Sequence, residues 1–194
     1  PHYPNNVPIE VLDKYFKSFE VPFYEEGWDF IILHNNLKPM DIMRNKLSYR
    51  MVCDKFDQKN HHHKLTLQAH MDKVNEYLQT RTDNDVLIEA GMYHDIGKLF
   101  TQTFDDKGEA HYYQHHCVGA YKAICELGIV DNKMELETNK DKTLEFAFYI
   151  NYHMHMYNIK TEKSKKKWQE IFGEDKFKYL VLLNEADVGG KDNV

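Results

Sequence analysis

The chain has 194 residues, of which 42% are hydrophobic and 29% are charged. This length suits one globular domain with a sizeable core, and it leaves room for an N-terminal appendage. The formal net charge of −6 argues against a general polyanion-binding surface, although a local basic pocket is compatible with it. Twelve residues are histidines, and most of them fall between His61 and His155, which is the first indication of a functional site.

The cysteines and the N-terminus indicate the compartment. Cys53, Cys117 and Cys125 lie far apart and show no CxxC spacing, so we expect free thiols in a reducing cytoplasm. No run is long and apolar enough to span a bilayer, and no signal peptide opens the chain. Pro1 suggests that an initiator methionine was removed. We therefore expect a cytoplasmic protein with no membrane partner.

Residues 1–60 are predicted to form an irregular or α/β appendage that packs on the main domain and carries no catalytic motif. The predicted elements are, in chain order, an irregular arm over 1–8, an amphipathic helix over Ile9–Phe19, a strand or helical turn over Trp28–His34, and a helix over Pro39–Phe56. Pro22 should end the first helix. The last helix is expected to turn its apolar residues inward, namely Ile42, Met43, Leu47, Met51 and Val52.

Residues 61–194 are predicted to form one mainly helical domain, so the expected fold class is all-α. Apolar residues at helical spacing predict helices over Leu65–Gln79, from Asn84 to His94, from about His115 to Leu127, over Leu144–Tyr157 and over Phe177–Asp187. Thr82-Asp83-Asn84 is expected to supply a turn and the N-cap of the second helix, and Gly128 is the expected stop of the third. The charged stretches 131–142 and 163–167 are interpreted as an exposed loop and a solvated face.

The connector over 57–64 contains three consecutive histidines, His61 to His63. A metal-binding tract is one interpretation of such a run. A solvated loop is favoured, because consecutive side chains on a short run do not converge on a single ion.

His94 and Asp95 offer two metal donors at one point of the chain. An imidazole nitrogen beside a carboxylate suits Zn, Mn, Fe or Co. His94 falls on the inward side of the helix that precedes it, and Gly97 and Lys98 follow directly. Lys98 would bring a positive charge close to a bound metal.

Further donors fall on the inward sides of other helices. His70 lies within an apolar stripe formed with Leu67, Val74, Tyr77 and Leu78. The remaining candidates are His115 or His116, His153 or His155, and Asp187. An ionised carboxylate on an apolar stripe is costly unless it is paired or bound to a metal. Several inward imidazoles and two carboxylates on separate helices therefore predict a metal site.

The same residues carry a family resemblance. The order His, His-Asp, His, His, Asp on consecutive helices resembles the HD superfamily of metal-dependent phosphohydrolases, and the HDIGK sequence at 94–98 resembles its central motif. The segment His111–Ala120, HYYQHHCVGA, is similar to the matching segment of HD domains attached to bacterial CCA-adding tRNA nucleotidyltransferases. The terminal NEAD at 184–187 resembles the closing motif. The resemblance covers about residues 64–190.

The resemblance implies a ligand set: His70, His94, Asp95, His115, His153 and Asp187. His115 is preferred to His116 because the family places this histidine four residues before a Gly-Ala pair. His153 is preferred to His155 because it shares a helix side with Ile150. The implied cofactors are one or two divalent ions, of Mn, Fe, Co, Ni or Zn, with Mg as a further option. The extra histidines favour two ions, with Asp95 bridging them.

The implied activity is hydrolysis of a phosphomonoester or a 2′,3′-cyclic phosphodiester on a nucleotide or a nucleic-acid end. Asp95 and Lys98 are the expected catalytic residues, and Lys98, His111 and Lys122 are the expected substrate contacts. Arg81 is a weaker candidate for a phosphate contact. The tRNA-maturation role does not carry over, because no nucleotidyltransferase domain is recognisable. The alternatives are a di-iron HD-type oxygenase and a non-catalytic nucleotide sensor, and the sequence does not predict the oligomeric state.

Overall fold

The computed structural model describes residues 9–23, 26, 37–61, 64–131 and 137–190. These residues are mainly helical, as predicted. The helices are α1 (Ile9–Lys17), α2 (Pro39–Lys55), α3 (Leu67–Gln79), α4 (Asp85–Tyr93), α5 (Lys98–Thr101), α6 (His115–Lys122), α7 (Lys140–Tyr152), α8 (Glu162–Phe172) and α9 (Glu174–Gly189). A π-helical turn, Ala123–Leu127, extends α6, and a 3-10 helix, His153–Asn158, follows α7.

Two small antiparallel hairpins accompany the helices. Strand β1 (Gln102–Phe104) pairs with β2 (Ala110–Tyr112), with Thr103 opposite His111. Strand β3 (Ile129–Asp131) pairs with β4 (Glu137–Asn139). The first hairpin leads directly into α6, so it stands next to the first residue of that helix.

Side-chain caps define where three of the helices begin. The side chains of Thr66, Asn84 and Asn139 accept hydrogen bonds from backbone amides in the first turns of α3, α4 and α7, respectively. Such caps satisfy amides that have no partner inside the helix. The N-cap expected within Thr82-Asp83-Asn84 is therefore confirmed and is Asn84, and the first residues of these helices have defined positions.

Helix α7 provides the largest buried side chains of the core. Phe146, Tyr149 and Ile150 are fully buried, and α7 packs against both α4 and α6. Helix α3 packs against α4 and α9 on the other side of the same core. The helices that carry the predicted donors thus share one core, and this arrangement brings their ends together.

The buried face of α2 differs from the predicted one. Ile42 and Cys53 are buried, whereas Met43, Leu47, Met51 and Val52 are between 53% and 62% exposed. The helix is held by polar contacts instead. The Asn45 amide donates to the Glu126 carbonyl at 2.8 Å, and Lys46 pairs with Glu89 at 2.6 Å. With these contacts the methionine-rich side faces solvent. The predicted inward position is confirmed for Ile42 and wrong for Met43, Leu47, Met51 and Val52.

Other sequence-based boundaries also change. Helix α7 begins at Lys140 rather than at Leu144 and ends at Tyr152, so the predicted loop over 131–142 contains β4 and the first turn of a helix. Helix α9 begins three residues before Phe177, at Glu174. Gly128 ends the π-helical turn with a φ of 55°, as a glycine stop should. The arm over 1–8 and the segment Trp28–His34 lie outside the described residues.

The described part of residues 9–60 contacts the helices of the main domain. The Val21 amide donates to the Asn151 side chain at 2.8 Å, and Phe23 packs against Phe148 with ring centroids 5.2 Å apart. The three cysteines are free thiols, as predicted. Among the residues that the structure describes, no helix is long and apolar enough to cross a membrane.

Candidate metal centre

Six side chains from five elements meet in the interior, and all of them are buried. His70 lies on α3, His94 and Asp95 form the turn after α4, and Asp187 lies in the last turns of α9. His115 is the first residue of α6, and His153 begins the 3-10 helix after α7. The structure therefore brings together every residue that the resemblance implies as a ligand.

Four of these residues form the first donor group: His70, His94, Asp95 and Asp187. Nε2 of His70 lies 3.1 Å from Oδ1 of Asp187 and 3.5 Å from Oδ2 of Asp95. Nε2 of His94 lies 3.4 Å from Oδ2 of Asp95 and 3.7 Å from Oδ1 of Asp187. Two nitrogens and two oxygens thus surround one point from three helical segments.

Asp95 also belongs to a second donor group with His115 and His153. Its other oxygen, Oδ1, lies 3.1 Å from Nε2 of His115 and 3.8 Å from Nε2 of His153. The two imidazole nitrogens are 3.3 Å apart. Asp95 therefore divides its carboxylate between the two groups, Oδ2 facing the first and Oδ1 the second, which is the arrangement of a bridging ligand.

Backbone carbonyls fix which nitrogen of each histidine faces the centre. Nδ1 of His94, His115 and His153 lies 2.7–2.9 Å from the carbonyl oxygen three residues earlier in the chain. Nδ1 of His70 lies 3.3 Å from the carbonyl of Gly190. A carbonyl oxygen only accepts hydrogen bonds, so Nδ1 carries the hydrogen in every case. The neutral rings therefore present the lone pair of Nε2 to the centre, as metal-bound histidines do.

The two buried carboxylates at the centre carry more negative charge than the neighbouring Lys98 balances. Asp95 and Asp187 are both buried, and Lys98 supplies one positive charge, with Nζ 2.7 Å from Oδ2 of Asp95. Burial would raise the pKa of Asp95, but Lys98 and His94 hold it well below its usual range. Burial would lower the pKa of His94, but the negative charges of Asp95 and Asp187 raise it to about 10. The two buried carboxylates therefore favour positive charge beside them at the first donor group.

These observations match the requirements of a metal site. Nε2 of the fully buried His94 makes no hydrogen bond of normal geometry among the described residues, although it faces two carboxylates. A buried polar nitrogen that makes no hydrogen bond is costly unless a ligand or a metal ion binds there. A set of imidazoles and carboxylates suits Mn, Fe, Co, Ni or Zn. The two donor groups could therefore each hold an ion.

Two residues that sequence reasoning missed support the centre. The Gln58 side chain accepts a hydrogen bond from Nζ of Lys98 at 3.0 Å, and the Tyr157 hydroxyl donates to Oδ2 of Asp187 at 2.5 Å. Tyr157 lies in the 3-10 helix that begins at His153, and α-helical periodicity in the sequence does not place its hydroxyl at the centre. Gln58 reaches the centre from the polar connector, and no local pattern distinguishes it.

Other candidates lie elsewhere. His116 and His155 belong to neither donor group, and burial lowers the pKa of His116 to about 4. The ring of His155 packs against Trp168, with centroids 4.8 Å apart. His61 is exposed and pairs with Glu109, which agrees with a solvated connector, while His62 and His63 lie outside the described residues.

Two of the expected phosphate contacts are not brought to the centre. Lys122 pairs with Glu126 and stands over the ring of Phe100, next to a different cavity. Arg81 is exposed at the end of α3 and stands over the ring of Tyr77. Their positive charges are therefore engaged away from the donor groups, and the interpretation of Lys122 as a substrate contact is not supported by its position.

An open cleft leads to the donor groups. Its residues are Asn60, Asp95, Lys98, His111, Tyr112, Tyr113, His115, Met154, Tyr157 and Asp187, and the volume between them is about 260 Å³. Both expected contacts Lys98 and His111 are among them. A small ligand can thus reach both groups from solvent, since each of them contributes residues to the wall.

Comparison of the chain with protein-family models, with curated proteins and with solved structures gives no match. The functional inference therefore depends on the donor geometry and on the motifs of the sequence.

Proposed function

We propose that this protein is an HD-type metal-dependent phosphohydrolase that removes phosphate from a nucleotide or opens a phosphodiester at a nucleic-acid end. The observation that carries the proposal is the division of Asp95 between two donor groups beside an open cleft. A purely structural histidine cluster would not need an opening to solvent. The sequence resemblance points to the same class of reaction.

The two donor groups would hold the ions. His70, His94 and Asp187 would bind one, His115 and His153 the other, with Asp95 between them. Bound divalent ions lower the pKa of water towards about 7 and stabilise negative charge on phosphoryl oxygens. This is the chemistry that the chain's own side chains do not supply, because both carboxylates at the centre are occupied with histidines or with Lys98.

The chain's contribution is charge and orientation. The Lys98 ammonium lies in the wall of the cleft, where it can meet a phosphate as a point charge. Gln58 and Asp95 hold that ammonium in place at 3.0 and 2.7 Å. Tyr157 holds Asp187 in a fixed orientation. Burial of the donors keeps bulk water away and strengthens each of these charge interactions.

The cleft suits a small phosphorylated molecule. The cleft has a volume of about 260 Å³, close to the lower end of the roughly 300–1,000 Å³ of ligand sites in proteins. The net charge of −6 disfavours binding of a long polyanion across the protein surface. A mononucleotide, or the last residue of a nucleic acid, therefore suits the cleft better than a long nucleic acid does.

The test is an add-back assay. Metal is stripped from the purified protein, and Mn, Fe, Co, Ni, Zn or Mg is returned singly. Phosphate release is measured with nucleoside monophosphates, and ring opening with 2′,3′-cyclic nucleotides. We expect turnover with at least one transition metal, loss of turnover in Asp95→Ala, and retention in His155→Ala, whose side chain lies outside the donor groups.

The same donors also suit iron, so a di-iron oxygenase is the second candidate function. Oxygen consumption by the iron-loaded protein, with no phosphate released from any substrate under any metal, would replace the phosphohydrolase by the di-iron oxygenase. Binding of nucleotides without either reaction would indicate the sensor.

A further inference from the structure

An aromatic pair stands at the mouth of the cleft. Tyr113 is 67% exposed, and its ring stacks on that of His111 with centroids 5.5 Å apart and planes inclined by 13°. Both side chains line the same cleft as Asp95 and Lys98. Most aromatic rings of the described residues are buried or pack against the core, whereas Tyr113 is exposed and has a parallel ring behind it.

The backbone holds Tyr113 in a fixed relation to the donor groups. The preceding residue, Tyr112, receives the Nδ1 hydrogen bond of His115 on its carbonyl at 2.8 Å. The following residue, Gln114, has a φ of 59° in the left-handed region, which a non-glycine residue rarely adopts. This turn starts α6 at His115. Tyr113 is therefore held between a hydrogen-bonded residue and a constrained turn, only two residues from a candidate ligand.

The partner ring is also tied down. Nε2 of His111 lies 3.6 Å from a carboxylate oxygen of Asp105, across the turn of the β1–β2 hairpin. Backbone amides of Lys107 and Glu109 donate to that same Asp105 side chain at 2.9 Å. A rigid turn thus supports His111 from behind, and His111 supports Tyr113. Such preorganisation reduces the entropy lost when a ligand binds.

Tyr112, by contrast, has a structural role. Its hydroxyl donates to the carbonyl of Gln58 and receives a hydrogen bond from the Gln102 side chain at 2.9 Å. Its half-buried ring faces Nζ of Lys98 at 5.3 Å. The polar tip of Tyr112 is therefore satisfied within the protein, whereas the described structure gives the exposed ring of Tyr113 no comparable internal role.

We propose that Tyr113, backed by His111, is the stacking surface for the nucleobase of a substrate whose phosphate lies beside Lys98 and the donor groups. The proposal rests on the proposed function for the position of the phosphate. Stacking accepts any base, because every base has a π-face. The site would therefore bind ligands that carry a nucleobase more tightly than ligands without one, and it would discriminate little between different bases. The base can belong to a free nucleotide or to the end of a nucleic acid.

The test measures binding rather than turnover. The probe is the analogue of adenosine monophosphate in which CH2 replaces the oxygen that bridges C5′ and phosphorus, so that a carbon–phosphorus bond, which resists hydrolysis, stands in place of the ester bond. The base-free probe is the ribose phosphonate with the same CH2 replacement. Both are titrated calorimetrically into the metal-loaded wild type and into Tyr113→Ala, Tyr113→Phe and Phe104→Ala. Phe104 is the matched control, because it is an exposed aromatic residue of the same hairpin that does not line the cleft.

We expect the wild type to bind the adenosine probe about ten-fold or more tightly than the base-free probe, within the range known for stacking on aromatic residues. Tyr113→Ala should remove most of that difference, while Tyr113→Phe and Phe104→Ala should keep it. The base-free probe should bind all four proteins alike. Equal binding of the two probes by the wild type, no detectable binding of either, or an unchanged preference in Tyr113→Ala would overturn the proposal.

A third probe separates the two sources of the base. A five-residue oligonucleotide whose terminal phosphate carries the same bridging CH2 group is titrated in parallel. If Tyr113→Ala weakens both base-containing probes, tighter wild-type binding of the oligonucleotide assigns the surface to a nucleic-acid end, and tighter binding of the mononucleotide assigns it to free nucleotides. If the wild type turns over no substrate but Tyr113→Ala still weakens binding of the base-containing probes, the stacking surface stands and the proposed phosphohydrolase function is wrong.

Discussion

Gly97 lies directly against the backbone of His115, with no room for a side chain between them. A Cβ atom at position 97 would come within 1.9 Å of the His115 carbonyl oxygen and 2.8 Å of the Gly119 amide nitrogen. The missing side chain lets the start of α6 approach the turn that carries Asp95. The distance of 3.1 Å between Asp95 and His115 depends on this approach.

Gly97→Ala should therefore destabilise the fold and open the second donor group. The obstructing atoms belong to the backbone and cannot rotate away, so we expect a loss of about 1–3 kcal/mol in the free energy of unfolding. Chemical denaturation measures this loss. Gly189→Ala is the matched control, because a Cβ there meets no atom within 4 Å. Equal stability of the two variants would contradict the close contact.

Metal content should follow the two donor groups. We expect two ions per chain in the wild type and one in the double variant His115→Ala with His153→Ala, because the first group keeps its four donors. Elemental analysis after dialysis measures the ratio. His116→Ala should still hold two ions, since His116 belongs to neither group. One ion in the wild type, unchanged in the double variant, would argue for a single-metal centre.

Lys98→Ala should slow phosphate release by about 100-fold, the range for losing one charge-stabilising group. Lys122→Ala should leave the rate unchanged, because its ammonium pairs with Glu126 next to another cavity. Initial rates at saturating metal give the comparison. Similar losses in both variants would mean that the effect of Lys98 comes from general surface charge rather than from its position in the cleft.

Tyr157→Phe should weaken metal binding while leaving the ligands in place. The hydroxyl donates to Oδ2 of Asp187, and removing such a supporting hydrogen bond lowers metal affinity by about 10–100-fold. Competition with a coloured chelator measures the change. Tyr179→Phe removes a hydroxyl from α9 itself, away from the cleft, and should bind metal as the wild type does. Unaltered affinity in Tyr157→Phe would show that Asp187 needs no such support.

The buried thiols should be unreactive in the native protein. Burial, with a contribution from Asp95, raises the pKa of Cys53 to about 12, and burial raises that of Cys117 to about 11. At pH 8 a disulfide reagent should quickly modify at most the partly exposed Cys125, and all three cysteines after unfolding. Cys125→Ser should lack the fast phase. Two or more fast thiols would contradict the burial of Cys53 and Cys117.

The same shifts set a pH dependence of stability. An unfolded cysteine loses its proton near pH ~8.5, whereas folded Cys53 keeps it to about 12. Between these values the folded state binds more protons than the unfolded state, so stability falls as the pH rises. Below the unfolded pKa the contribution is fully present. Denaturation midpoints of the wild type and of Cys53→Ala between pH 8 and 10 measure the slope, which should be shallower in the variant.

The helical class and the grouping of the donors were within reach of the sequence. An apolar stripe must face the core, so His70 and Asp187, which lie on such stripes, had to be inside. The choice of His115 over His116 came from the family resemblance, which places this histidine four residues before Gly119, and the structure adds that Gly97 and Gly119 lie close together. An apolar stripe on a helix is a local pattern, and it can be read from the sequence because it is stable only when it faces the core.

The remainder depended on contacts between distant segments. The face of α2 could not be predicted, because the polar contacts of Asn45 and Lys46 decide its rotation. The change from α-helix to 3-10 helix at His153 brings Tyr157 to Asp187, and residue periodicity assumes that no such change occurs. Gln58 meets Lys98 across 40 positions of the chain. The sequence of the polar connector contains no pattern that predicts the contact between Gln58 and Lys98.

Three of the four histidines are aimed by peptide carbonyls of their own chain segment rather than by neighbouring side chains. Substitution around His94, His115 and His153 can therefore alter the shape of the surroundings without changing which nitrogen is offered. Asp187 differs, because its free oxygen is held by the Tyr157 hydroxyl. Asp187 and Tyr157 are therefore the best positions at which to redesign the centre for a chosen metal. The orientation of the Asp187 carboxylate depends on another side chain, and a substitution at Tyr157 can change it.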